Sequence, residues 1–308
     1  MAPLKVGLVG CGRLAERGWL PALKLAAAAG TAELVALAEP DAGRRAAAEH
    51  AAGLGARAAF EDWRDLVASG GADAVVLALG GRAQVEPATA AVAAGLAVLV
   101  EKPPGGDLAG AQALARLQPA PAVGFSRRFD PAWSALRDAA RQASPPYELE
   151  LRLSYRRSAW APHVVGDDAL ADLGSHVIDL AAWIAGAPVA RARCRSLEPL
   201  AADGELELAG AIGAARFTVD QESSYAELGR LAGSATAVRR GGAWRNALSR
   251  FGAGPDAAAL PRSLHAELAA LARHGGDLAT AEDGVRCHAA LEALRASAAA
   301  GGVWVEVE

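Results

Sequence analysis

The chain has 308 residues, 52% of them hydrophobic and 21% charged, with a formal net charge of -4. That length allows two domains with separate cores, and the slightly acidic balance excludes the concentrated basic face of a nucleic-acid binder. Cys11, Cys194 and Cys287 are too few and too scattered for a disulfide frame or a zinc site, and no apolar run has the length of a membrane span. Met1 is followed almost at once by the first apolar run, which leaves no room for a signal peptide, so a cytoplasmic location is expected.

In the first part of the chain, short apolar runs alternate with segments of helical spacing. Strands are predicted over 5–9, 33–38, 56–60, 74–79, 97–100 and 122–125, and helices over 14–29, 42–51, 63–69, 84–94 and 108–117. Strands alternating with helices of this length form parallel βαβ units, with helices on both faces of one sheet. Pro21 predicts a kink or an early end in the first helix.

Beyond Pro131 the period changes. Residues 147–155 alternate apolar and polar, as a strand with one wet face does, and 190–197, 205–208, 215–220, 227–232 and 303–307 are similar. Helices are predicted over 170–184, 263–274 and 281–296. The expected organisation is α/β: a Rossmann doubly wound parallel sheet over 1–123, then an α+β domain with a mostly antiparallel sheet over 124–308 for substrate binding and oligomerisation. Ser144-Pro145-Pro146 is the nearest thing to a hinge, and Arg191, Arg193 and Arg195 line one face of a predicted strand.

Gly10-Cys11-Gly12-Arg13-Leu14-Ala15 closes the first strand and opens the first helix. Gly10 permits the tight turn, Gly12 lets the backbone approach a pyrophosphate, and Ala15 allows close helix–strand packing. The helix amino terminus adds free N–H groups. An ordinary glycine turn is the alternative. Glu39 ends the second strand, where a carboxylate bonds a ribose 2′-hydroxyl and repels a 2′-phosphate, so NAD is favoured over NADP. Arg13, Arg44 and Arg45 lie near enough in sequence to favour a phosphate instead.

Glu101-Lys102-Pro103 closes the fifth strand, at the sheet end where such folds hold ligands. Read alone, Lys102 is equally a surface lysine at a strand end. Asp172, His176 and Asp179 fall at i, i+4 and i+7 of an otherwise apolar helix and form one polar stripe. Read alone, that stripe fits a structural Asp–His pair better than catalysis.

The ordered set of Val6-Gly7-Leu8-Val9-Gly10-Cys11-Gly12, Val98-Leu99-Val100-Glu101-Lys102-Pro103, Gly124-Phe125-Ser126-Arg127-Arg128-Phe129 and Asp172-Leu173-Gly174-Ser175-His176 resembles the Gfo/Idh/MocA family of NAD(P)-dependent oxidoreductases. The resemblance covers nearly the whole chain. It implies hydride transfer between NAD and a secondary alcohol or ketone of a sugar, cyclitol or related polyol, by a homodimer or tetramer. It implies catalysis by Lys102, Asp172 and His176, with the cofactor held by Gly10, Gly12, Arg13, Leu14, Glu39, Leu79, Gln84 and Glu101. The substrate contacts it implies are Lys102, Arg127, Trp160, Asp172 and His176, without a metal.

His163 and Arg128 are further sugar contacts to consider, although strand alternation would let only one of Arg127 and Arg128 face a cleft. The chain departs from the family pattern at the turn Leu79-Gly80-Gly81-Arg82, at Gln84 in place of a histidine, at Ser126 in place of an asparagine, and at Pro104. An NAD-dependent glycoside hydrolase with transient oxidation, or a non-catalytic NAD-binding sensor or corepressor, is the alternative function.

Overall fold

A computed structural model describes residues 2–55, 58–160, 167–241, 259–273 and 275–308, with the backbone alone at 159 and 160. By its internal contacts the chain divides into two units. The first is Met1–Ser126 with Leu260–Val285, and the second is Arg127–Ala259 with Arg286–Glu308.

In the first unit, β1 (Leu4–Val9), β2 (Ala32–Ala38), β3 (Ala59–Phe60), β4 (Ala74–Leu77), β5 (Ala97–Glu101) and β6 (Ala122–Gly124) run parallel in the order β3-β2-β1-β4-β5-β6. A short antiparallel strand, β13 (Ala279–Thr280), pairs with β6 at the edge. Val75 and Val76, and Leu99 and Val100, are neighbours that point to opposite faces, yet all four are fully buried, so both faces of the sheet are covered. The strand order reverses between β1 and β4. Sheets of this kind hold ligands beyond the carboxyl ends of their strands at that point.

The helices of this unit are α1 (Leu20–Ala28), α2 (Ala42–Ala52), α3 (Trp63–Ala68), α4 (Val85–Ala93) and α5 (Leu108–Ala115). Asp41, Asp62 and Asp107 cap α2, α3 and α5 by accepting from the amides of Arg44, Arg64 and Gly110, at about 1 kcal/mol each. Pro21 does not end its helix. A single π turn, Ala15–Trp19, precedes α1 and places Pro21 in the first turn of the α-helix, where its missing N–H leaves no intrahelical bond unmade.

The sequence groups residues 263–274 with the second domain. In the structure α8 (Ala259–Ala272) puts Leu264, Leu268 and Leu271 into the first unit's core with Val6, Leu8, Trp19 and Leu23. The i, i+4, i+7 leucine spacing forecasts the helix but not which sheet it covers. Next comes α9 (Ala281–Ala299), which passes from the first unit into the second at Arg286.

The second unit is built on β7 (Tyr147–Ser154), β8 (Val189–Glu198), β9 (Ala201–Leu208), β10 (Gly213–Asp220), β11 (Ala226–Leu231), β12 (Ala237–Gly241) and β14 (Val305–Glu306), in the order β12-β11-β7-β10-β9-β8-β14. Its pairs are antiparallel except β7 with β10, which is parallel. Leu149, Leu151, Leu153, Phe217 and Val219 lie on the buried face. Across the other face Arg230, Glu150, Arg216, Glu205 and Arg193 stand opposite one another on five adjacent strands. The signs alternate, so every neighbour in that row is an opposite charge. Arg191 pairs with Glu207, and Arg193 and Arg195 with Glu205, so the arginine row of β8 is partnered within its own sheet.

Two helices of this unit are α6 (Pro131–Gln142) and α7 (Ser175–Ala185). The sequence reading omits α6, although its signals are present: Asp130 caps the Ala132 amide, Pro131 opens the first turn, and Trp133, Leu136 and Ala140 form its buried face. Trp133 packs against Gly229 of β11, where a Cβ would overlap the indole ring. Gly229→Ala therefore overpacks a fully buried aromatic, and we expect it to lower unfolding free energy in urea by about 1–3 kcal/mol. A change within about 0.5 kcal/mol would contradict this packing.

Candidate active site

The turn after β1 is held from the end of β2. The Cys11 amide donates to Glu39 Oε2 at 2.8 Å, the Asp41 amide to Oε1 at 3.1 Å, and Arg44 Nη2 to Oε1 at 2.6 Å. Arg45 Nη1 donates to the Glu39 carbonyl at 2.6 Å. Glu39 is only 4% exposed. Burial opposes its charge, but Arg44 and the two amides win and hold the carboxyl below its usual range. Burial, with the Glu39 charge beside it, pushes the Cys11 thiol up to about 12, which makes it an inert filler.

Gly10 has φ of +90°, and a Cβ there would lie 2.6 Å from the Ala78 carbonyl oxygen, so the turn tolerates no side chain. Gly12 differs. Nothing lies within 4 Å of the place its Cβ would occupy, and its carbonyl accepts from the Glu16 amide at 3.0 Å, so the helix opens at a glycine with no side chain to cap it. Arg13 forms an ion pair with Glu16 through Nη1, while its buried Nε has no partner among the described residues. An open glycine, an uncapped helix start and an unsatisfied guanidinium N–H fit the pyrophosphate of a dinucleotide.

Gln84 lies beyond β4 and is fully buried. Its Nε2 donates to the Leu79 and Glu101 carbonyls, each at 2.8 Å, and its Oε1 accepts from the Gly105 amide at 2.9 Å. One amide thus joins the ends of β4 and β5 to the loop after Pro103. The Gly80-Gly81 turn belongs to the same arrangement, because a Cβ on Gly81 would sit 2.7 Å from the Cα of Gly106. Gln84 and Gly81 thus both meet the Gly105-Gly106 loop.

Lys102 is half-buried at the end of β5. The preceding Glu101 is buried, accepts from Trp19 Nε1 at 2.7 Å, and faces the Lys102 amide at 3.3 Å. Burial lifts its carboxyl from the ordinary 4.5 to about 7, with the Lys102 charge and the indole offsetting only part of the penalty.

In the second unit, the predicted polar stripe is divided. Asp172 lies in a π turn, Leu170–Gly174, ahead of α7, and the extra residue of that turn breaks the i, i+4 alignment. Tyr155 donates to Asp172 Oδ2 at 2.6 Å and Gln221 Nε2 to the same oxygen at 2.8 Å. Asp179 instead receives Arg128 in a two-pronged ion pair. His176 is buried in the first turn of α7.

Residues 126–129 form a helical turn, so strand alternation does not apply to the two arginines. Arg127 pairs with Glu227 at 2.8 Å, and Glu227 also receives Trp133 Nε1. Both arginines thus serve ion pairs of this unit. The Trp160 side chain and His163 lie outside the described residues. Among the described residues, no group of three His, Cys, Asp or Glu side chains could hold a metal.

Residues 4–121 match the model of the GFO_IDH_MocA oxidoreductase family, described by its NAD-binding Rossmann fold. The match falls within the amino-terminal unit, and that part of the chain is similar to the NAD-binding domain of the family. Inositol 2-dehydrogenase of Leifsonia xyli subsp. xyli is 34% identical over 61% of this chain and 55% of its own length. Inositol 2-dehydrogenase of Corynebacterium glutamicum (strain R) is 32% identical over 60% of this chain and 55% of its own length. The chain thus matches about half the length of these curated relatives. The structure of scyllo-inositol dehydrogenase from Lactobacillus casei, with NAD(H) and scyllo-inositol bound, superposes with a TM-score of 0.79 over 99% of both chains at 18% identity, which establishes the fold.

Trp19, Tyr155 and Gln221 are neighbours of the candidate residues that sequence reasoning missed. Each reaches a named acid from a segment distant in sequence, so only Trp19, close behind the glycine turn, carried any local signal. Glu101 yields a test with a definite sign. The folded chain holds its proton more tightly than the unfolded chain does, so its contribution to stability is complete below about pH 4.5 and lost as pH rises through about 7. Glu101→Gln keeps an acceptor for Trp19 but cannot ionise. Between about pH 4.5 and 8, wild type should lose about 3 kcal/mol more than the variant in urea unfolding; parallel pH profiles would contradict it.

Proposed function

We propose that the protein is an NAD-dependent dehydrogenase that moves a hydride between NAD and a secondary alcohol or ketone of a cyclitol, sugar or related polyol. The carrying observation is Lys102, delivered by the end of β5 in a sheet whose switch point bears an open glycine turn. The inositol 2-dehydrogenase relatives support the polyol class. A buried carboxylate at the end of β2 favours NAD, because Glu39 would repel a 2′-phosphate. Three free cysteines fit a reducing, cytoplasmic compartment. Among the described residues no helix is long and apolar enough to cross a membrane.

Gly12, Arg13 and the start of the following helix would hold the pyrophosphate, Glu39 the adenosine ribose, and the ends of β4 and β5 the nicotinamide side. The bound dinucleotide supplies the hydride acceptor. The protein's own work is proton management and orientation. Lys102 binds the reacting oxygen and stabilises its developing charge. His176 takes the hydroxyl proton, and Asp172 fixes the imidazole or a neighbouring hydroxyl.

The test is absorbance of NADH during incubation with NAD and a panel of cyclitols, sugars and sugar acids. One polyol class should give signal. Lys102→Ala and His176→Ala should each lower kcat by about 100-fold or more, with NAD affinity kept within about threefold. Glycoside cleavage without net NADH, tight NAD binding without turnover, or full activity in both variants would overturn the proposal.

A further inference from the structure

Asp172 and Asp179 sit on consecutive stretches of one helical segment and are reached by different side chains. Asp179 is met by a guanidinium, with Arg128 donating through Nε and Nη2. Asp172 Oδ2 accepts from two neutral groups, the Tyr155 hydroxyl at 2.6 Å and the Gln221 amide at 2.8 Å. Gln221 Nε2 is also 3.2 Å from the Tyr155 hydroxyl. Neutral donors stabilise a carboxylate without cancelling its charge.

The two donors are themselves fixed. Gln221 is 1% exposed, and its Oε1 accepts from Arg157 Nη1 at 3.2 Å, which turns its NH2 toward the carboxylate. The backbone pins both residues at the ends of β7 and β10. Tyr155 N donates to the Asp220 carbonyl, Arg157 N to the Gln221 carbonyl, and Gln221 N to the Leu200 carbonyl. A residue needed only to start a helix would take a backbone amide, as Asp168 does from Ala171. Asp172 draws on side chains from two strands.

We infer that Tyr155 and Gln221 are positioning residues that hold Asp172 charged and in one orientation for the reacting hydroxyl and for His176. The inference rests on the dehydrogenase reading above. The Tyr155 hydroxyl stays a donor, since burial and then the Asp172 charge push its ionisation up from the ordinary 10.0. Acids on the segments packed against this turn have their own partners: Asp168 has Arg295, Asp179 has Arg128, Glu205 has Arg193 and Arg195, Glu207 has Arg191, and Asp220 has Ser223 and the Glu222 amide. Asp203 is on the face of β9 shared with Glu205 and Glu207. Arg157, His176 and Arg216 of β10 are among the cations or potential cations on these segments.

The experiment follows the carboxyl 13C signal of Asp172 through a pH titration of the full chain, assigned by its loss in Asp172→Asn. In Tyr155→Phe, and separately in Gln221→Leu, the midpoint should rise by about one pH unit. The acid limb of kcat/KM for the oxidised polyol should rise with it, kcat should fall about tenfold, and NAD affinity should stay unchanged. Unmoved midpoints in both variants, or lost turnover with an unmoved pH profile, would overturn the inference. A raised midpoint in a protein that oxidises no polyol would support the clamp on Asp172 and sink the dehydrogenase reading, so the two failures are distinguishable.

Discussion

A buried carboxylate at the end of β2 holds the turn after β1 in shape. Burying the Glu39 charge is costly unless its oxygens are satisfied, and the chain supplies the Cys11 and Asp41 amides and Arg44. The Cys11 bond fixes the residue between the two glycines, so Gly10 keeps its positive φ and Gly12 keeps its open side. The cradle is formed by the protein's own interactions. A dinucleotide bound there, as proposed, would have little backbone to order, which is the energetic benefit of preorganisation.

The same device recurs at the other strand ends. Gln84 joins the ends of β4 and β5 to the Gly105 amide, and Glu101 reaches Trp19 behind the glycine turn. In the second unit, Asp130 and Glu227 take Arg240, while Arg127 also pairs with Glu227. Leaving any one of these groups without its partner costs more than the bond itself is worth, because the remaining polar atom stays buried. The sites therefore rest on networks that tolerate paired changes better than single ones. Gln84, Gly81 and the Gly105-Gly106 loop form one such network.

The sequence made the first sheet legible because β1, β2, β4 and β5 are near-continuous apolar runs, and it made the glycine turn legible because its residue types have a narrow purpose. Lys102, placed by a strand end, was equally visible. Location in space was the hidden part. The leucines of α8 announce a helix but not the sheet it covers, and Asp130-Pro131 announces α6 only to a reader who expects a helix there. Partner choice was hidden for the same reason. Nothing local announces that Tyr155 and Gln221 reach Asp172 while Arg128 reaches Asp179. The π turns before α1 and α7 also shift side chains by one residue in a way that helical periodicity does not forecast.

Calorimetric titration with NAD and with NADP, on wild type and Glu39→Ala, tests the central claim most directly. If Glu39 holds the cradle and selects the ribose, wild type binds NAD at least about tenfold more tightly than NADP. The variant then loses both the affinity for NAD and the preference. Equal affinity of wild type for the two dinucleotides, or NAD binding undiminished in Glu39→Ala, would contradict it.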